Sequence, residues 1–226
     1  MIKSIFQKIL SKAGKDYSLD DSIPDGLLLH VLSTRLFMLV RGLFFLRKKV
    51  FLGKSCSILN KSNFIFGKNV TIESHTILDG YAKQKIQFGN NVKIGAYSLI
   101  SCTSHLSKYG KGIKIGNHSS FGRFTEFGAA GGIEIGNDVI GGGYITFHSE
   151  NHNYEDSSKL IREQGVTSKG IKLGNNIWIG VKVTFLDGSQ VGNNSIIAAG
   201  AVVNGVFPDN VVIGGVPARV LKANDK

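Results

Sequence analysis

An apolar residue, usually followed by glycine, returns every six residues along most of this chain. A period of six matches neither the 3.6-residue period of an amphipathic helix nor the two-residue alternation of a half-buried strand. It is typical of a coil of short strands in which each hexad forms one flat side, so that three hexads close one triangular turn. Stacked turns bury a continuous apolar column. The clearest block of inward positions is Leu173, Ile179, Phe185, Val191, Ile197 and Val203.

Three interruptions break the repeat between Phe66 and Val203. They cover residues 79–85, 103–112 and 148–170, and the last of them is the longest and the most polar. The glycine that follows an inward residue is predicted to lower the steric cost of turning the corner. The repeat therefore predicts the scaffold, and the interruptions are the candidate places for chemistry.

Residues 1–50 have a different pattern from the rest of the chain. Strongly apolar helical spacing runs through residues 23–46, and Ser22 ahead of Pro24 is the predicted helix cap. We therefore predict an α-helical segment before an all-β domain.

Two interpretations of this apolar helix stay open. Arg35 and Arg41 lie in mid-segment and argue against a spanning helix, which needs about 20 mostly apolar residues. The interpretation we favour is a helix buried against the rest of the protein or against a neighbouring subunit. The other is peripheral membrane contact through residues 22–49, with the basic residues 47–49 at the anionic surface.

The charge balance limits the partners. Lys and Arg number 27 against 16 Asp and Glu, a formal net charge of +11 that favours acidic partners. The sequence has no zinc-finger spacing, RNP-type aromatic motif or basic recognition helix, so we expect no nucleic acid. Cys56 and Cys102 have neither disulfide nor metal spacing, so we expect no metal. With no signal-peptide pattern, we expect a cytoplasmic protein, either free or peripheral to the inner face of the membrane.

Three motifs carry a resemblance to a known family. They are Asn-His-Asn-Tyr at 151–154, Asn-Asn-Ile-Trp-Ile-Gly at 175–180 and Pro-Ala-Arg at 217–219. Together with the hexads they resemble the hexapeptide-repeat acyltransferases, in the branch of the galactoside, maltose and surface-polysaccharide O-acetyltransferases. The resemblance covers about residues 55–222. It implies a left-handed parallel β-helix and a homotrimer with active sites between subunits.

The resulting domain division has three parts. Residues 1–50 form the N-terminal helical segment, residues 51–222 form the β-helix domain, and residues 223–226 form a short tail.

Acetyl transfer to a sugar requires a base, because a hydroxyl is a poor nucleophile near neutral pH until its proton is removed. A neutral imidazole suits that task. Of the six histidines, His152 lies in the segment that resembles the family's catalytic loop, so the resemblance implies that His152 is the general base. The residues assigned to the acceptor side are Glu126, His148 and Glu150. The acidic residues that could orient the imidazole are Glu126, Glu150, Glu155 and Asp156, and the sequence does not choose among them.

The resemblance also implies that acetyl-CoA is the co-substrate. The positions that match the family's CoA contacts are Trp178, Gly180, Val181, Ala199, Asn204, Gly205, Arg219 and Lys222. Arg219 and Lys222 are expected to reach the CoA phosphates. The family often has Thr-Lys where this chain has Asn204-Gly205, so one basic contact is missing. Backbone N–H groups of residues 141–143 or of Gly180 are candidate donors to the oxyanion.

The sequence therefore predicts an acetyl-CoA-dependent O-acetyltransferase that acts on a sugar hydroxyl, in surface polysaccharide biosynthesis. The expected acceptor is a saccharide or a glycan intermediate. One alternative is N-acetylation of an amino sugar or transfer of another acyl group. Another is a non-catalytic β-helix scaffold, or a carbonic-anhydrase-like relative, for which three metal-binding histidines cannot be assembled here.

Overall fold

The computed structural model describes residues 2–12 and 18–224, so residues 225 and 226 of the predicted tail lie outside the described part. Two helices come first, α1 (Ile2–Lys12) and α2 (Asp25–Arg41), and α2 continues into a π-helical turn at Gly42–Leu46. Single 3₁₀ turns lie at Lys61–Asn63 and Ile161–Glu163.

All of the remaining regular structure is short strands. In chain order they are β1 (Phe51–Leu52), β2 (Ser57–Leu59), β3 (Phe64–Phe66), β4 (Thr71–Ile72), β5 (Ile77–Asp79), β6 (Ile86–Phe88), β7 (Lys93–Ile94), β8 (Leu99–Ser101), β9 (Ile113–Ile115), β10 (Ser120–Phe121), β11 (Glu126–Gly128), β12 (Ile133–Ile135), β13 (Ile140–Gly141), β14 (Thr146–His148), β15 (Asn151–His152), β16 (Val166–Thr167), β17 (Ile171–Leu173), β18 (Trp178–Ile179), β19 (Thr184–Phe185), β20 (Gln190–Val191), β21 (Ile196–Ile197), β22 (Val202–Val203), β23 (Val206–Phe207), β24 (Val211–Gly215) and β25 (Ala218–Ala223).

The strands form the three flat sides of a parallel β-helix, which confirms the predicted architecture. Face A has the order β1-β4-β7-β10-β13-β18-β21-β24-β25, face B has β2-β5-β8-β11-β14-β19-β22, and face C has β3-β6-β9-β12-β17-β20-β23. Neighbouring strands are parallel and come from successive coils, except that β25 returns antiparallel along β24. We call the edges of the prism corner AB, corner BC and corner CA after the faces that they join.

The inward positions build one apolar column, as the hexads predicted. From Leu78 onward the residues at these positions of face B are fully buried, among them Phe127, Phe147 and Phe185. Their rings stack from coil to coil, with centroids 5.0 Å apart for the first pair and 4.7 Å for the second. Each buried side chain of this size contributes roughly 1.5–3 kcal/mol, so the column is the main source of stability.

The glycine after each inward residue has a different role from the predicted one. A Cβ at Gly95 would lie 2.4 Å from a backbone carbon of Gly122 in the next coil, and one at Gly116 would lie 2.5 Å from Gly136. Glycine is therefore required by the close approach of stacked coils. The left-handed conformation falls two residues later, for example on Tyr97 at φ 59°.

Helix α2 lies on face A over the first coils, and its two arginines hold it there. The guanidinium carbon of Arg35 is 3.5 Å from the ring centre of Phe51, and its Nη1 donates to Thr71 Oγ1 at 3.0 Å. Burial lowers the pKa of Arg35. Arg41 Nε donates to the carbonyl of Leu52 at 2.8 Å. The residues that argued against a membrane span thus anchor the helix to the β-helix.

The predicted cap of this helix is wrong. The residue before the first turn is Pro24, in an extended conformation and with no side-chain cap. Ser22 instead bonds to Asp20, with its backbone N 2.8 Å and its Oγ 2.6 Å from Oδ1. Proline with a fixed φ can start the helix without a side-chain acceptor.

Candidate active site

All three interruptions of the repeat leave the β-helix at corner BC. Each connects a strand of face B to the next strand of face C: β5 to β6, β8 to β9, and β14 to β17. Because the coils are stacked, loops that leave from one corner in different coils lie on the same edge of the prism. Corner BC is therefore where side chains outside the repeat are gathered.

The longest of these loops carries a short arm that holds His152. Strand β15 pairs antiparallel with β16, and His152 lies opposite Val166. Behind it, Asn153 braces the arm, because its N donates to the carbonyl of Gly165 at 3.1 Å and its Oδ1 accepts from Thr167 Oγ1 at 2.7 Å. The imidazole is exposed at the surface of a fixed arm.

Asp187 fixes the base of the same loop. Its side chain is 6% exposed, and its two carboxylate oxygens accept from the backbone N–H groups of Lys169 at 2.9 Å and Gly170 at 2.7 Å. No sequence pattern pointed to Asp187. Its position in a Leu-Asp-Gly corner resembles that of any other outward residue, so only the fold shows what it contacts.

The four acidic candidates do not hydrogen-bond to His152 in the described part of the chain. Glu150 instead accepts from Ser104 Oγ at 2.8 Å and from Ser168 Oγ at 3.0 Å. The backbone N of Tyr154 donates to Glu155 at 3.1 Å. Asp156 pairs with Lys159 at 2.7 Å, and this contact and those with Ser158 lower the pKa of Asp156. Glu126 faces a cavity instead.

That cavity brings together the three residues assigned to the acceptor. It has a volume of about 190 Å³, and its lining includes Glu126, His148 and Glu150 but not His152. Gly128 lies between Ser101 and His148 in the outward row of face B. Because glycine has no side chain, it leaves the space open, and a Cβ there would lie 3.7 Å from His148 Nδ1.

Cys102 also lines this cavity but is unsuited to nucleophilic chemistry. Its side chain is buried, and burial, with a smaller effect from Asp79, raises the pKa of the thiol to about 12. A thiol with that pKa stays protonated near neutral pH, whereas the thiolate is the reactive form.

Several of the predicted CoA contacts lie along face A and corner AB. Trp178, which is 60% exposed, stands in one outward row with Ile196, Val212 and Lys222 on successive strands. Val181 and Ala199 stack at corner AB and are exposed. The result is an apolar strip that ends at a lysine.

Other predicted contacts lie elsewhere. Asn204 and Gly205 follow β22 and therefore lie at corner BC. Arg219 is exposed on β25, and its Nη1 donates to the neighbouring carbonyl of Ala218 at 3.0 Å. Within a single chain, His152 and the apolar strip are therefore separated by the width of face B.

The glycines named as oxyanion donors include two whose N–H groups are already bonded. Gly142 N donates to the carbonyl of Ile179 at 2.9 Å, and Gly180 N donates to that of Ile197 at 2.8 Å. These bonds belong to the ladders between coils. Gly180 contributes close packing, because a Cβ there would lie 2.5 Å from Ala199 N. Within residues 2–12 and 18–224, no three His, Cys, Asp or Glu side chains are grouped to hold a metal ion.

Comparison with known proteins gives consistent matches. A family model described as bacterial transferase hexapeptide (six repeats) matches residues 170–205. The Escherichia coli protein WbbJ, named for O-acetyl transfer in lipopolysaccharide biosynthesis, is 25% identical over 174 residues, which are 74% of this chain and 75% of WbbJ. The galactoside O-acetyltransferase of Escherichia coli is 36% identical over 96 residues, which are 42% of this chain and 46% of that protein.

This chain spans between 44% and 75% of the length of the first curated relatives that it matches.

Among solved structures, a mutant of AntD, an N-acyltransferase from Bacillus cereus, matches with a TM-score of 0.52 and 18% identity, over 78% of this chain and 81% of that one. At that identity the likeness concerns the fold, a left-handed β-helix.

Proposed function

Because the chain belongs to the hexapeptide-repeat transferase family, we propose that it is an acetyl-CoA-dependent O-acetyltransferase that modifies a sugar hydroxyl during surface-polysaccharide assembly. The observation that carries the proposal is the braced arm at corner BC, which presents an exposed His152 one coil before Trp178. The relatives named for O-acetyl transfer, to galactosides and in lipopolysaccharide biosynthesis, support a sugar acceptor.

In this proposal His152 is the general base. Its neutral imidazole removes the proton of the acceptor hydroxyl as the oxygen attacks the thioester carbonyl. The carbon–sulfur bond then breaks, and the imidazolium returns the proton to the departing thiolate, so no net proton is consumed. A positioned base of this kind contributes roughly 10²–10⁴-fold. The thiol of Cys102, with a pKa of about 12, takes no part.

The apolar strip on face A and corner AB fits the pantetheine arm of CoA. Trp178 and Val181 are 60% and 50% exposed, which leaves apolar surface available to a long thin ligand. Lys222 ends the row and Arg219 lies on the same strand, and both charges suit phosphates. Asn204-Gly205 supplies no cation.

The separation of His152 from this strip supports a site that is shared between copies. His152 lies beyond one edge of face B and Val181 lies at the other edge. Two copies packed through this face would bring corner BC of one against corner AB of the next. We therefore propose the homotrimer, with each site formed by two subunits.

Acetyl transfer to a panel of sugars and glycan intermediates tests the proposal. The wild-type protein should acetylate at least one hydroxyl, and His152→Ala should lower kcat by about 10²–10⁴-fold with an unchanged melting temperature. His148→Ala is the matched control and should mainly raise KM for the acceptor. Full activity of His152→Ala would exclude this base, and acetylation of amino sugars alone would make the protein an N-acetyltransferase.

We also propose that the N-terminal helix lies against the cytoplasmic face of the membrane. The stretch Asp25–Leu46 is long and apolar enough to cross a bilayer by length and composition, and only 17% of its most apolar window is buried. Leu36 and Phe37 lie on the side of α2 turned away from face A, and Phe44 lies in the π-helical turn that follows; these side chains are 59%, 61% and 79% exposed. Basic residues 47–49 follow at once, as an anionic surface requires.

Vesicle flotation tests this membrane contact. The protein should bind vesicles that contain phosphatidylglycerol, and Phe37→Gln/Phe44→Gln should lose most of that binding. Leu106→Gln is the control, because Leu106 is 98% exposed on a loop far along the chain. If the double variant floats like the wild type, or changes only the oligomeric state, the helix packs on a neighbouring subunit.

A further inference from the structure

A groove at corner BC collects lysines from distant parts of the sequence. It has a volume of about 320 Å³ and extends onto face C. We call it the lysine groove. The lysines that line it are Lys85, Lys111, Lys114, Lys169 and Lys172, and the acidic residue in its lining is Glu134.

Backbone rather than side chains forms the floor of the lysine groove. Gly112, Gly132 and Gly170 succeed one another at corner BC with φ of 129°, 93° and 95°, a conformation that glycine adopts without strain. The stem of Lys111 lies over this floor, since a Cβ at Gly132 would be 3.4 Å from its Cβ and Cδ. The missing side chains leave room for a ligand beneath the ammonium groups.

The charges of the groove are not neutralised from within. Lys114, Glu134 and Lys172 stand side by side in the outward row of face C. In the described part of the chain, none of the five lysine ammonium groups has a carboxylate oxygen within 4.0 Å. Lys85 donates to the carbonyl of Ser62 at 2.9 Å. Five positive charges thus face one negative charge, and all five lysines are exposed.

The lysine groove lies beside the arm that carries His152. Lys169 comes two residues after β16, the strand that pairs with His152. The lysines belong to the coils from β5 to β17, whereas Trp178 and the other predicted CoA contacts belong to the coils after β17. A ligand in the groove would therefore approach the base from the opposite end to CoA.

We propose that the lysine groove binds the phosphate groups of the acceptor, so that the substrate is a sugar attached to a diphosphate. The inference rests on the proposed acetyltransferase function and narrows its substrate class. Lysine is a flexible point charge that binds phosphate without the planar geometry of arginine. Phosphates have a second source, CoA itself, and the experiment separates the two.

Calorimetry with inorganic pyrophosphate measures the site directly. Lys114→Gln/Lys172→Gln should weaken binding about tenfold, because two exposed charge contacts of about 0.7 kcal/mol each are lost. Lys8→Gln/Lys54→Gln removes the same charge outside the groove and should leave binding within about twofold. Glu134→Gln removes the carboxylate in the lining and should tighten binding a few-fold. Equal binding by the wild type and the groove variant would overturn the proposal.

A competition experiment with CoA identifies the source of the phosphate. Saturating CoA should not displace pyrophosphate, and the groove variant should bind CoA like the wild type. Displacement by CoA, or a matching loss of CoA affinity, would assign the groove to the nucleotide end of CoA and refute an acceptor site.

The kinetics of acetyl transfer test whether the lysine groove takes part in the reaction. The groove variant should raise KM about tenfold for a sugar diphosphate and leave kcat unchanged, and the same sugar without phosphate should show no difference. If the wild type acetylates only unphosphorylated sugars, the inference is wrong while the proposed function stands. If it transfers to nothing, the proposed function fails and pyrophosphate binding still reports on the groove.

Discussion

Corner CA and corner BC belong to the same coils, yet one of them is uniform and the other varies. At corner CA each coil binds the next through a side-chain oxygen. Asn117 N donates to Asn137 Oδ1 at 2.7 Å, and Asn193 N donates to Asp209 Oδ1 at 2.7 Å. The other rungs of this ladder are formed by Asn90 and Asn175.

Among the residues that the structure describes, corner BC has no such ladder along its length, and it carries the loops instead. There the chain leaves the coil three times, and the arm of His152, the cavity beside Glu126 and the lysine groove all lie on this edge. The difference shows how a repetitive fold can acquire a function. Corner CA preserves the register of the coils, so corner BC can accept insertions without disturbing the apolar column.

The largest expected effect tests whether corner BC of one subunit and corner AB of another together form one active site. His152→Ala and Trp178→Ala should each be nearly inactive when acetyl-CoA is below its KM. Chains that carry one change each and are co-expressed in equal amounts should regain about a quarter of the wild-type activity, because random assembly pairs an intact arm with an intact strip at one site in four.

The activity of the mixture is compared with that of each variant expressed alone. A further control co-expresses two copies of the chain that both carry His152→Ala. An unchanged low activity in the co-expressed mixture would show that both residues act within one chain.

The second effect compares the same residue type at the two corners. Asp187→Ala leaves two partly buried N–H groups without their acceptor and should lower the free energy of unfolding by about 3 kcal/mol, with a fall in kcat because the loop base is released. Asp209→Ala removes an exposed acceptor at corner CA and should cost about 1 kcal/mol with kcat unchanged. Urea denaturation and initial rates measure both, and equal kcat values in the two variants would contradict the positioning role of Asp187.

The sequence was sufficient for the scaffold because the hexad records which residues face inward. Phe147 and Phe185 are buried where the spacing placed them. The sequence did not reveal why glycine is required after the inward residues, because the distance from Gly95 to the next coil is set by the stacking of backbones. The interruption at 148–170 stays the predicted place of the chemistry, and the role of His152 stays a prediction.

The parts that sequence reasoning missed depend on which coils are stacked. Lys85 and Lys172 are far apart along the chain, and only the common corner brings them to one groove. The role of Asp187 likewise depends on its hydrogen bonds from two backbone N–H groups of an earlier loop. No local pattern carries that information, because the insertion lengths determine which residues meet.

A smaller effect is expected from filling the cavity at corner BC. A methyl group at Gly128 would lie 3.7 Å from His148 Nδ1 and 3.0 Å from the carbonyl of Phe147. Gly128→Ala should therefore raise KM for the acceptor several-fold, with less than about 1 kcal/mol of change in stability. Gly26→Ala is the matched control, since a Cβ there meets nothing within 4 Å. An unchanged KM in Gly128→Ala would remove this cavity from the acceptor site.

The smallest effect near neutral pH concerns Cys102, which lies at corner BC and yet has a scaffold role. Cys102→Ala should leave kcat within about twofold, because a thiol with a pKa of about 12 is not ionised. The raised pKa also links this residue to stability. Protonation of the folded thiol stabilises the protein fully below the ordinary pKa of 9.0, and the contribution is lost as pH rises toward about 12. Urea midpoints of wild type and Cys102→Ala should therefore converge over that range, whereas parallel midpoints would show that the Cys102 thiol does not contribute to the alkaline loss of stability.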